Sequence, residues 1–161
     1  MRLPLGTLFL SVNLLCLLAT PALADKLQAG DTLTGFQLPD QYGNQHKITE
    51  MPKTLILTFQ KNTGALVNGF LKKQDKSFLK QNDALYIADI ARMPTLITNM
   101  FALPKMKKYE HTVLLAYDDD FQAPYPMKDR NATVLHLDKM GAITEILFVD
   151  NEASLQEEIL K

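Results

Sequence analysis

Cysteine is nearly missing from this sequence. A chain of 161 residues carries one, Cys16, and it lies inside an apolar leader. A domain that begins after it has no intrachain disulfide, no thiolate nucleophile and no cysteine metal site. An excess of one charge is missing too. Seventeen Lys and Arg stand against eighteen Asp and Glu, a net charge of −1, which favours neither nucleic acid nor an anionic membrane surface. No Gly-x-Gly-x-x-Gly follows a strand pattern, so a dinucleotide or flavin fingerprint is absent from the sequence. No Ser, His and Asp share a recognisable catalytic context, and there are no repeats or low-complexity segments.

The one long apolar run is at the start. Arg2 gives a basic beginning, and residues 3–18 form an apolar stretch shorter than a membrane span. Ala22-Leu23-Ala24 is a small-x-small cleavage site before Asp25. These features predict a signal peptide over residues 1–24, a single domain over 25–161, and a periplasmic or secreted destination. Leu15 stands where a lipoprotein cysteine needs a small residue, so Cys16 is expected to leave with the leader.

Beyond the leader, apolar residues recur with alternating periods. Residues 30–48 read as a β-hairpin with its tip at Gly43-Asn44. Residues 54–59, uncharged and rich in β-branched side chains, read as a strand buried on both faces. A helix is expected over 64–81, with Leu66, Val67, Phe70 and Leu71 as its apolar stripe. A second core strand follows at 84–90. Pro94 can open the next helix, whose stripe Leu96, Ile97, Met100 and Phe101 is expected to fill core, with Met93 beside it. Pro104 predicts a break or kink there. Residues 112–117 read as a third strand. Residues 133–137 and 142–149 form a hairpin around Asp138-Lys139-Met140-Gly141. Asn151 caps a last helix with Leu155, Ile159 and Leu160 inward. Helices between buried strands imply right-handed crossovers and parallel pairing.

This order, with Phe36-Gln37-Leu38-Pro39-Asp40-Gln41-Tyr42-Gly43, the strand at 54–59 and the hairpin at 133–141, resembles the thioredoxin-like fold in its exported, peroxiredoxin-related form. The resemblance implies an α/β domain: a mixed sheet with an N-terminal β-hairpin and helices on both faces. It also implies that two redox cysteines would stand at Gly64 and Val67, where a helix N-terminus lowers a thiol pKa. Neither residue can exchange a disulfide. The family's cis-proline is replaced by Asn131-Ala132, for which a trans peptide is expected. A narrower likeness, through residues 86–94 and 101–106, is to small exported bacterial proteins labelled FAD/FMN-containing dehydrogenases.

In open α/β sheets, sites gather at the carboxyl ends of the strands. That edge is expected to collect Gln60, Lys61, Asn62 and Thr63, then Asp89 with Arg92, then Asp118, Asp119 and Asp120, with Arg130 and Asn131 approaching before the fourth core strand. Two readings are open. The residues are an anion-binding or catalytic set around the amides from Gly64 onward, or Thr63 caps the helix and the rest are solvated loops. The aspartate run lacks the spacing of a calcium loop, and His136, alternating with Leu135 and Leu137, reads as structural. No metal and no cofactor are expected. The sequence therefore points to an exported thioredoxin-fold protein without dithiol chemistry, a binding or interaction module for a peptide or protein partner. The alternative is an enzyme working without cysteine, or a flavin-linked oxidoreductase, through the same polar loops.

Overall fold

The computed structural model describes residues 26–161, so Cys16 and the expected leader lie outside the described residues. Strands β1 (Phe36–Pro39) and β2 (Gln45–Ile48) pair antiparallel as a hairpin. Gly43 takes φ +91° at its tip, a conformation glycine adopts without a Cβ penalty. The Asp40 carboxylate organises the turn. It accepts the N–H groups of Tyr42 and Asn44 at 2.8 and 2.9 Å and lies 3.0 Å from His46 Nε2.

The main sheet has five strands in the order β5-β4-β3-β6-β7: β3 (Thr54–Thr58), β4 (Ala84–Asp89), β5 (Leu114–Ala116), β6 (Ala132–Leu137) and β7 (Ile143–Val149). β3 runs parallel to β4, and β4 to β5, while β6 and β7 are antiparallel. Every residue of β3 is buried, as an uncharged central strand requires. In the β6–β7 turn, Asp138 Oδ1 accepts the N–H groups of Met140 and Ala142, and Gly141 takes φ +79°.

Strand period 2 sorts the core into two layers. Ile56, Tyr86, Ala88 and Val134 face one side and meet Val67, Phe70 and Leu71 of α1 (Lys61–Leu71), Leu79 of α2 (Phe78–Gln81), and Leu155 and Ile159 of α5 (Glu152–Leu160). Leu55, Leu57, Ile87 and Leu135 face the other. The α/β class, the mixed sheet and the hairpin stand as expected. The second face, for which helices were also expected, is covered instead by Phe36, Leu38 and Ile48 of the hairpin and by Phe121 and Tyr125. The crossover that carries those two aromatics, residues 119–125, is turns and a bend. Pro124 and Pro126 deny it the N–H groups a helix needs.

Three helical segments differ from expectation for local reasons. Helix α1 begins at Lys61, with extended Gln60 before it, so Gly64 lies inside the first turn and donates its N–H to the Gln60 carbonyl. The stretch to Gln81 is not one helix. Asp75 accepts the Ser77 N–H, the side chain-to-backbone bond that competes with helix, and α2 starts afresh. The third helical stretch runs α3 (Thr95–Ile97), a π turn (Thr98–Ala102) and α4 (Leu103–Met106) without a break. Pro104 has no N–H to return to the preceding turn, and the backbone widens just before it. Met93, Leu103 and Met106 pack on the core, while Leu96, Ile97, Met100 and Phe101 are 66, 44, 59 and 62 % exposed rather than core. Leu160, also expected inward, is exposed at the end of α5.

The hairpin docks on the sheet edge through its turn. Asp40 forms a bridge with Leu114, and Gln41 donates to the His111 carbonyl and accepts the Val113 N–H, both at 2.9 Å. Burial pushes the Asp40 carboxyl up, but bonds from His46, Asn44 and the turn amides outweigh it and hold the pKa at about 2. A carboxylate depressed in the fold stabilises above its unfolded value of 3.8 and loses that stabilisation as pH falls toward 2. Asp40→Asn is expected to cost about 1 kcal/mol at neutral pH, allowing for solvent screening at a surface turn. It should also flatten the acid limb between those values in urea titrations. An unchanged acid limb would show that the turn does not anchor the hairpin.

Candidate functional site

A cleft of about 510 Å³ opens where the carboxyl ends of β3 and β4 meet the first turns of α1 and the α3–α4 segment. Its walls are apolar: Phe59, Ile90, Met93, Ile97, Phe101 and Met106. Its floor is a polar chain. Asn68 Nδ2 donates to the Gly64 carbonyl at 2.6 Å and to the Tyr86 hydroxyl at 3.2 Å. Tyr86 and Thr58 share a bond of 3.1 Å. His111 Nε2 lies 2.9 Å from Asn68 Oδ1. Because the Asn68 amide nitrogen is spent on two acceptors, its oxygen must accept, and His111 carries its proton on Nε2. Gly64 stands beside this arrangement: a Cβ there would sit 3.8 Å from both Thr58 Oγ1 and the Tyr86 hydroxyl, an ordinary contact.

Burial fixes the protonation states. It pushes the Tyr86 phenol up to about 12, against the Thr58 and Asn68 bonds. It brings His111 down to about 4, helped by the Lys72 ammonium, which sits over the Tyr109 ring stacked on His111. The Asp89 carboxyl is raised by desolvation, against the Ala91 N–H and the Arg92 charge. No buried side-chain nitrogen or oxygen among the described residues lacks a partner. The floor is therefore neutral, and its polar groups are all bonded.

Of the residues expected at this edge, Lys61, Gly64, Asp89 and Arg92 line the cleft; Asn62, Thr63, Asp118 and Asn131 do not. Thr63 is buried and does not cap α1, since its hydroxyl donates to the Gln60 carbonyl. Asp118 Oδ1 is engaged by the Asp120 N–H in a turn, and the Asn131 amide donates to the Asp129 carbonyl. Val67 is fully buried in the core. The Asn131–Ala132 peptide is trans, as expected. Gln60 also lines the cleft, and its side chain holds Asp129 and the Arg130 N–H.

Asn68, Tyr86, Thr58, His111 and the Ile97–Phe101 lip were not assigned to the site from the sequence. One signal was available: Asn68 falls four residues after Gly64 and beside Val67, a polar side chain within the inward stripe. His136 is structural, as expected, with Nε2 2.8 Å from Glu158 Oε2. With Glu145 it makes a His-Glu-Glu group, in which Lys161 reaches both carboxylates at 2.8 and 3.7 Å and offsets part of their charge.

No protein-family model matches the chain, and no curated protein matches it. Solved structures do. A protein of Bacteroides thetaiotaomicron assigned as a disulfide isomerase is 19 % identical with a TM-score of 0.57, over 85 % of this chain and 89 % of that one. A thio-disulfide isomerase from Thermus thermophilus is 19 % identical with a TM-score of 0.51, over 83 % and 96 %. A peroxidoxin from Mycobacterium tuberculosis is 12 % identical with a TM-score of 0.53, over 83 % and 94 %. At these identities the likeness is one of fold, and the fold is thioredoxin-like.

A histidine depressed in the fold stabilises fully above its unfolded pKa of 6.5 and loses that stabilisation as pH falls toward 4. Between pH 7.5 and 5.0 the domain is expected to lose about 2 kcal/mol from His111 alone. His111→Gln should remove most of that pH dependence in urea midpoints. An identical slope in the variant would place the titration elsewhere.

Proposed function

We propose that this is an exported thioredoxin-fold binding module that works without dithiol chemistry and grips a peptide or protein partner in the cleft at the strand ends. One observation carries the reading: the cleft has the size and apolar walls of a recognition site, while its lining contains no Cys, Ser or His. Thiol exchange needs a thiolate to attack and a second sulfur to resolve, and residues 26–161 contain no cysteine. A non-cysteine enzyme at the same place has one lining carboxylate, Asp89, and no second lining carboxylate to pair with it as acid and base. A flavin-linked protein would show flavin absorbance on purification. Export rests on the leader, and N-terminal sequencing of the exported chain should begin at Asp25.

The module reading predicts no insulin reduction above buffer. It also predicts that capture of partners from periplasmic extract is abolished by Phe101→Asp and weakened by Arg92→Ala with Asp89→Ala. All three positions lie at the surface or rim, so the fold should survive. Dithiol turnover, or capture that ignores Phe101→Asp, would contradict it.

A further inference from the structure

We propose that the cleft takes an acidic peptide segment: one bulky apolar side chain seated against Phe59, Met93, Ile97 and Phe101, with a flanking carboxylate held by Lys61, Arg92 and Lys105. The proposal rests on the binding reading above and adds the chemistry of the partner.

Charge carries the first half. Three cations and one carboxylate line the cleft, although the whole chain is nearly balanced. Among the described residues, Lys61, Arg92 and Lys105 belong to no ion pair, whereas Lys73 and Lys161 are paired with Glu152 and Glu145. With its amide oxygen turned toward Arg92, Gln122 accepts from the guanidinium, a neutral partner that orients the cation without cancelling its charge. Asp89, the one offsetting group, is itself destabilised as an anion by burial and already accepts the Ala91 N–H. Unpaired cations around a low-dielectric wall favour an incoming carboxylate.

Shape carries the second half. The apolar surface does not stop at the cleft. Through Ile97 and Phe101 it continues onto Met100, at 59 % exposure, and Leu96, at 66 %. A small amphiphile would fill the cleft and leave this lip in water, while a peptide covers both, with its anchor inside and its backbone across the lip. The widened turn at Thr98–Ala102 presents the lip.

The test is fluorescence anisotropy on the exported chain with labelled peptides: a Phe between pairs of Glu, the same with Lys for Glu, and the Glu peptide with Ala for Phe. The Glu–Phe probe should bind at least about tenfold tighter than either control, a difference of about 1.4 kcal/mol, and should weaken as salt rises. Arg92→Glu with Lys105→Glu should reverse the preference toward the Lys probe. Equal binding of Glu and Lys probes overturns the charge assignment and leaves the binding reading intact. Equal binding of the Phe and Ala probes removes the apolar anchor. Phenylbutyrate displacing the Glu–Phe probe at equal concentration would make the occupant a small molecule and overturn the peptide assignment. If no probe binds while Phe101→Asp still abolishes partner capture, this proposal fails alone; if Phe101→Asp also leaves capture unchanged, both fail.

Discussion

Asn68 ties the first helix to the sheet. Its amide nitrogen caps the Gly64 carbonyl and reaches the Tyr86 hydroxyl on β4, and its oxygen takes the His111 proton. Each such bond contributes about 1 kcal/mol net, but breaking one inside the core strands a polar group at about 1–3 kcal/mol. The chain of contacts therefore sets where α1 can stand. It continues outward, because the His111 carbonyl accepts from Gln41, and Gln41 also takes the Val113 N–H. One saturated network thus joins hairpin, sheet edge, helix and cleft floor.

This has a chemical consequence. A reactive site keeps a nucleophile or a base short of partners, poised for a substrate. The floor here holds its groups neutral and spent: a phenol raised by burial, a histidine lowered by it, a threonine bonded to the phenol. What the cleft still offers is apolar area and the cations at its mouth. Those are the components of recognition, in which buried apolar anchors supply affinity and charge supplies selectivity.

Much of the architecture was legible in the sequence because strands and turns are written locally. Residues 54–58 carry no charge and are buried on both faces, and Asp138 and Gly141 spell a turn that the structure builds as read. The end of α5 nearest its cap was equally plain: Asn151 accepts the Ser154 N–H. The site was less legible. Gln60 has no capping side-chain bond, so nothing in the sequence marked Lys61 as the first helical residue. Leu96, Ile97, Met100 and Phe101 do share one face, but that face turns outward, and periodicity alone does not say which way an apolar face points. The asparagine that anchors the floor bonds to residues 18 and 43 positions away. Only the fold brings them together, so no local pattern reports them.

The central claim is that the cleft beside Gly64 is a recognition surface held rigid by its polar floor. Amide chemical-shift mapping with the Glu–Phe peptide tests it most directly. The account predicts shifts confined to Lys61, Gly64, Ala65, Arg92 and the Ile97–Lys105 stretch, with the Asn68 and His111 signals nearly unmoved. Shifts concentrated on the hairpin or on the aromatic crossover at Phe121 and Tyr125, with the cleft silent, would contradict it.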